Sequence, residues 1–137
     1  LTMTKALYKK GKNVLLSTNL QWSSTCTYKV MLTASEYSVN LVADDFVADI
    51  VAANRVASGL SLSALSASDG VADGDNVTAT AVSGSKIFRF VIYHDTTNEA
   101  TSDLILVDDT ATGLPLTPNG GDINLTWDSG TCKIFEI

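Results

Sequence analysis

The sequence has little of what catalysis requires. Its 137 residues include one histidine, two cysteines and two prolines, and charged residues make up 18%, against about a quarter in typical globular proteins. The single histidine, His94, stands beside Asp95 at a predicted turn, and a hydrolytic triad needs such a base next to a nucleophile. No Gly-x-Ser-x-Gly elbow and no glycine-rich phosphate loop occurs. The sequence therefore favours a protein that is not an enzyme and has no cofactor.

Cysteines and acidic clusters give no metal pattern. Cys26 and Cys132 are too few for a disulfide framework and lack zinc-site spacing, so a buried free thiol is favoured over pairing. Asp69, Asp73 and Asp75 lie in the segment DGVADGDN, which has no closing glutamate of the EF-hand type. Because Asp-Gly pairs are ordinary turn formers, turns are favoured over a cation site, and no metal site is predicted.

Acidic residues are absent from the start of the chain. Residues 1–35 carry five lysines and no acid, whereas the remainder holds all fifteen acids and four bases, for a net charge of −6. A nucleic-acid binder should present a basic face, so no nucleic-acid partner is expected. No apolar run approaches the roughly 20 residues that a bilayer requires, so no membrane partner is expected either. The basic start is interpreted as a contact with an acidic neighbour or as the solvated face of a short helix.

Helical spacing is clearest near the start. Residues 4–17 are predicted as a helix, with Thr4 as its N-cap and apolar residues on one face. Gly11 in its middle weakens this prediction.

Beyond residue 20 the hydrophobic period changes to two, which is typical of strands. The pattern predicts a mainly β chain: a single β-sandwich, or a jelly-roll-like or barrel domain, of about seven or eight short strands with a short N-terminal helix. Residues 1–19 would form a basic helix or docking arm, and residues 20–137 the body. Turns are predicted at Asp69-Gly70 and Asp73-Gly74, a helical turn at 44–50 and a hairpin at 128–130. The predicted strands are 25–33, 55–65, 76–82, 86–93, 104–107, 123–127 and 132–137.

The two tryptophans have two interpretations. Trp22 and Trp127 each precede a turn rich in small polar residues. Packing in a core or interface is favoured, and sugar stacking in a carbohydrate-binding module is kept as an alternative.

Four stretches of the chain carry a recognisable pattern: MTKALYKKG at 3–11, YKVMLT at 28–33 followed by YSVN at 37–40, VIYHDT at 91–96, and ATGLPLTPNGGDINLTWD at 111–128. In this order they resemble a family of small virion proteins of tailed bacteriophages and prophages. The closing stretch is the most specific match, and residues 50–85 match only loosely.

The resemblance implies a structural virion protein. Within that class it points to a capsid decoration, or cement, protein that binds the major capsid protein at the outer capsid surface, as a dimer or trimer, after assembly in the bacterial cytoplasm. The family supplies no catalytic residues. The alternatives are a tail, collar or fibre-attachment virion protein, and a carbohydrate-binding module for host attachment.

The N-terminal helix is the candidate contact surface for the capsid. Its lysines would steer the chain onto an acidic surface, and its apolar residues would anchor it there. The alternative is that this helix packs on its own domain. The candidate contact residues are Lys5, Leu7, Tyr8, Lys9, Lys10, Lys12, Val14 and Leu15.

Overall fold

The computed structural model describes residues 5–17, 20–23, 25–111, 113–127 and 134–136. Ten strands, one α-helix and two 3-10 turns occur in this part of the chain. The strands are β1 (Ala6–Leu7), β2 (Tyr28–Ala34), β3 (Arg55–Ser61), β4 (Ser66–Ser68), β5 (Val71–Asp73), β6 (Val77–Ala79), β7 (Ile87–His94), β8 (Leu104–Asp108), β9 (Ile123–Leu125) and β10 (Phe135–Glu136). The helix α1 spans Lys9–Leu16, and the 3-10 turns span Val47–Asp49 and Ala52–Asn54.

The largest sheet of the described structure, which we call the central sheet, is antiparallel and has five strands in the order β1-β8-β7-β2-β3. Strand β7 pairs with β2 on one side and β8 on the other, so that Ile92 lies opposite both Val30 and Leu106. Its residues alternate between two apolar clusters, with Phe90 and Ile92 in one and Val91 and Tyr93 in the other. The strand predicted over 86–93 is thus the middle strand of this sheet, and apolar residues on both of its faces are buried, as is typical of a central strand.

A separate cluster of buried apolar side chains lies on each face of the central sheet. The small sheets β10-β5-β4 and β6-β9 contribute Ala72, Val77 and Phe135, among others, to the cluster on one face. The other face is covered by Tyr8, Tyr37, Val47 and Ile50. The mainly β prediction is confirmed, and the sheets of the described part do not close into a barrel.

The helix is shorter than predicted. It begins at Lys9, because Ala6 and Leu7 form β1 and pair with Val107 and Leu106 of β8. Pairing satisfies backbone groups along the edge of β8 that a longer helix would leave without strand partners. The predicted cap, Thr4, lies outside the described residues. The segment predicted as an arm thus contributes a strand to the central sheet.

The turn predictions have mixed outcomes. Asp69 and Gly70 both have positive φ, 54° and 79°, and connect β4 to β5, as in the tight hairpin turns that Asp-Gly favours. The strand predicted over 55–65 ends at Ser61, and the helical turn at 44–50 is the 3-10 turn Val47–Asp49. The hairpin at 128–130 lies outside the described residues. No helix in the described ranges is long and apolar enough to cross a membrane.

Candidate functional site

Hydrogen bonds hold the N-terminal segment, residues 5–17, against the rest of the described structure. The Tyr8 N–H donates to the Ile105 carbonyl at 2.9 Å, and the Lys9 N–H donates to the Leu41 carbonyl at 2.8 Å. The Tyr37 hydroxyl donates to Asp44 Oδ2 at 2.8 Å. The Tyr8 hydroxyl, 2.6 Å from that of Tyr37, must therefore act as the donor between the two. Burial raises the pKa of both tyrosines, so both hydroxyls stay protonated at neutral pH and can donate these bonds.

The apolar half of the candidate contact surface faces inward. Tyr8 is fully buried, and Leu7, Val14 and Leu15 pack against the cluster formed by the central and small sheets. An amphipathic helix buries its apolar stripe against the nearest apolar surface, which here belongs to the same chain. The structure therefore favours the alternative in which the helix packs on its own domain, since Tyr8 is buried there and Leu7, Val14 and Leu15 are half-buried.

The four lysines of the predicted surface divide into two pairs. Lys5 Nζ lies 4.0 Å from Asp108 Oδ2, and Lys10 Nζ lies 3.8 Å from Asp103 Oδ1 and 4.8 Å from the centre of the Phe46 ring. Lys9 and Lys12 are exposed. Only the second pair is well placed to meet a partner.

One face of α1 points to solvent and defines what we call the outer helix face: Lys9, Lys12, Asn13 and Leu16. All four residues are exposed, at the i, i+3, i+4, i+7 spacing of a single helical stripe. Leu16 has 79% of its surface exposed, more than any other large apolar residue of the described chain. Sequence reasoning named Lys9 and Lys12 but missed Leu16, although its spacing from the two lysines places it on their face.

The tryptophans are half-buried and packed on aromatic neighbours. The Trp22 ring meets Phe135 edge-on, with 5.1 Å between ring centres, and Trp127 meets Phe90 in the same way at 5.4 Å. Their indole N–H groups donate to the carbonyls of Asp73 and Asp75, respectively. Packing, the favoured interpretation, accounts for these contacts.

His94 and Cys26 are the remaining candidate residues that the structure describes. His94 Nδ1 lies 3.4 Å from Asp103 Oδ2, and its ring stacks at a tilt 5.8 Å from that of Tyr28. Cys26 is half-buried against the apolar cluster, whereas Cys132 lies outside the described residues. Among the residues that the structure describes, no three His, Cys, Asp or Glu side chains are grouped so that they could hold a metal ion.

A second surface feature is a polar cleft of about 320 Å³. It lies between β3, the end of β7 and the loop at 95–102. Sequence reasoning did not predict it, because its residues come from distant segments that only the sheet register brings together. Its principal polar and charged lining residues are Lys29, Arg55, Tyr93, Asp95, Thr97 and Glu99.

Two ion pairs lie along the cleft. Lys29 Nζ is 2.8 Å from Asp95 Oδ2, and Arg55 Nη1 is 2.6 Å from Glu99 Oε1. The Lys29 ammonium and the Thr97 N–H lower the pKa of Asp95, and the Asp95 carboxylate raises the pKa of Lys29. Arg55 lowers the pKa of Glu99. Asp95, Lys29 and Glu99 therefore keep their charges at neutral pH.

Removing Lys29 should shift the titration of Asp95. In Lys29→Met we expect the carboxyl pKa to rise towards about 3.9, the ordinary value for aspartate, while the Thr97 N–H retains part of the shift. Because the folded-state pKa of Asp95 is lowered, its stabilising contribution is present above the ordinary pKa and is lost as pH falls through the lowered value. NMR titration of the side-chain carboxyl measures the change. Lys86→Met is the matched control and should leave Asp95 unaltered.

No protein-family model matches the chain, and no curated protein matches it.

Proposed function

We propose that this chain is a structural protein of a tailed-bacteriophage particle, and specifically a decoration protein that binds the major capsid protein shell. The proposal is supported by the resemblance of residues 3–11, 91–96 and 111–128 to small virion proteins. The geometric observation that carries it is the outer helix face, where two exposed lysines lie beside an exposed leucine on a helix that is held against the sheet.

Such a face suits attachment to a lattice of acidic subunits. Lys9 and Lys12 accelerate encounter with an acidic surface. Leu16 then adds apolar area that is removed from water on contact. Because α1 is held by β1 and Tyr8, the face is already ordered before binding, and little conformational entropy is lost on docking.

The finer features of the proposal concern shape and assembly. The body would be a β-sandwich, since the small sheets contribute residues to the cluster on one face of the central sheet. On the outer capsid surface the chain would act as a dimer or trimer, which would present several outer helix faces at once and raise its avidity.

The outer helix face can be tested on purified capsid shells. The triple variant Lys9→Glu/Lys12→Glu/Leu16→Ser should bind at least about tenfold more weakly, which corresponds to roughly 1.4 kcal/mol or more. The salt dependence of binding should also flatten, because rim charges act mainly on association. Occupancy is measured by co-sedimentation of the protein with shells at several salt concentrations.

The control is Lys86→Glu, which reverses an exposed lysine in the turn before β7 and should leave occupancy unchanged. Equal occupancy of the triple variant and the wild-type protein would contradict docking through α1. Shells of equal heat resistance with and without the protein would contradict cementing.

Two other functions remain as alternatives. A tail, collar or fibre-attachment protein would use the same kind of surface, and the position of the chain in a reconstruction of the virion separates it from a decoration protein. A carbohydrate-binding module using Trp22 and Trp127 is less well supported, because their rings and indole N–H groups are engaged within the chain.

A further inference from the structure

The polar cleft contains a guanidinium group held in place by the backbone. Arg55 Nε donates to the Ile50 carbonyl at 2.8 Å, and Nη2 donates to the Val47 carbonyl at 2.9 Å. The Arg55 side chain is only 13% exposed. These two bonds fix the plane of the guanidinium, so that Nη1 points at its one carboxylate partner, Glu99, without further ordering.

Glu99 differs from Arg55 in how firmly it is held. Its side chain is 62% exposed, and its one side-chain hydrogen bond in the described structure is to Arg55. The Glu99 backbone is held separately, since its carbonyl accepts from the Ala48 N–H at 3.0 Å. The carboxylate can therefore rotate away from Arg55 into water while the loop keeps its place. Because the Glu99 carboxylate is exposed to water, its ion pair with Arg55 is weak, so a competing carboxylate can displace it.

The rest of the cleft contains both donors and acceptors. The Tyr93 side chain is buried, with 6% of its surface exposed. Its hydroxyl accepts a hydrogen bond from the Gly59 N–H at 3.1 Å. No protein acceptor for its hydroxyl hydrogen is found in the described ranges. Lys29, Asp95 and Ser58 line the same space. A hydroxyl group both donates and accepts, so hydroxyl groups match this lining better than a group that only accepts.

We propose that the cleft binds a small hydroxylated carboxylic acid of the uronic-acid type, whose carboxylate takes the place of Glu99 on Arg55. The hydroxyls of the ligand would bond with Tyr93 and Asp95. This site is separate from the outer helix face and does not depend on the virion proposal.

Other ligand classes fit less well. A phosphate group would bring a second negative charge close to Asp95, which is unfavourable in a partly enclosed cleft. A neutral sugar has no carboxylate with which to displace Glu99. An apolar ligand would strip water from two ion pairs without replacing their hydrogen bonds. The cleft of about 320 Å³ is also larger than a lone carboxylate needs and lies at the lower end of the range for small-molecule sites, about 300–1,000 Å³.

The test is a titration of the ¹⁵N-labelled protein with sodium D-glucuronate, with D-glucose and sodium acetate as comparison probes. We expect glucuronate to shift the amide resonances of Ser58, Tyr93 and Thr97, with an affinity at least about fivefold higher than that of either comparison probe. In Glu99→Gln the affinity for glucuronate should rise by about tenfold, because the internal competitor loses its charge. The matched control is Glu36→Gln, which neutralises an exposed glutamate after β2 and should leave the affinity unchanged.

Two results of the titration would contradict binding of a uronic acid in the cleft. If glucuronate shifts none of these resonances in either the wild-type protein or Glu99→Gln, the cleft does not bind this class of ligand. If acetate binds as tightly as glucuronate, the site recognises a carboxylate alone, as an acidic side chain of a protein would offer it, and the proposed hydroxyl contacts are wrong. Arg55→Lys, made in the Glu99→Gln background, should remove the gain in affinity. Since that variant also loses a backbone contact, its fold is checked in the same spectra.

Discussion

Gly11→Ala should lower the free energy of unfolding by about 3 kcal/mol or more, although alanine is the better helix former. Gly11 lies in α1 directly over the backbone of β8. A Cβ atom at this position would lie 2.7 Å from Ile105 Cα and still closer to the Ile105 carbonyl oxygen. The obstacle is backbone in a central sheet, so it cannot rotate away as a side chain could. Chemical denaturation monitored by circular dichroism measures the loss.

The loss of stability expected for Gly11→Ala is opposite in sign to the effect that helix propensity predicts. Helix propensity alone predicts that alanine stabilises an interior helical position by about 1 kcal/mol relative to glycine. The control is Asn13→Ala on the outer helix face, which should change stability by no more than about 0.5 kcal/mol. A Gly11→Ala protein as stable as the wild type would mean that α1 does not lie against β8 as described.

Tyr8→Ala should destabilise the protein by about 3–5 kcal/mol, the cost typical of removing a buried aromatic side chain. Tyr8 has no exposed surface, packs in the cluster that contains Tyr37 and Val47, and lies between β1 and α1. Its loss would leave a cavity at the point where the N-terminal segment joins the sheet. Denaturant unfolding and hydrogen exchange of the Ile105 and Lys9 amides measure the global and local consequences.

Tyr8→Phe separates packing from hydrogen bonding. It keeps the ring and removes the hydroxyl that donates to Tyr37, so we expect a loss of about 1 kcal/mol, within the usual range for one hydrogen bond. Lys12→Ala, on the same segment but exposed, should be almost neutral. If Tyr8→Ala were also neutral, the N-terminal segment would be a loosely attached arm, and the docking interpretation of its apolar residues would return.

The parts of the fold that sequence reasoning found are those with strong local patterns. The run KIFRFVIY has apolar residues on both faces, and β7 is accordingly the middle strand of the five-stranded sheet. Asp69-Gly70 forms a tight turn because the pair tolerates positive φ. These features depend on residues that are adjacent in the chain, so the pattern alone indicates them.

Features that depend on distant contacts were missed. Ala6 and Leu7 are too few to show a strand pattern in the sequence. They form β1 only because they pair with β8, about a hundred residues later in the chain. Gly11 was taken as a weakness of the helix, whereas its missing side chain allows α1 to approach Ile105. The cleft joins Lys29, Arg55 and Glu99, and no periodicity relates them. Val14 and Leu15 of α1 pack on the core, as the predicted apolar face implied, but the exposure of Leu16 depended on where the sheet lies.

The position of β1 has a consequence for how the chain behaves in a crowded cell. Strand β8 is almost wholly apolar and fully buried, and β1 is its neighbour on the outer side of the central sheet. A bare apolar strand edge is a template on which another chain can add a strand, the first step of aggregation. By pairing with Leu106 and Val107, the two residues of β1 shield this part of the β8 edge from another strand.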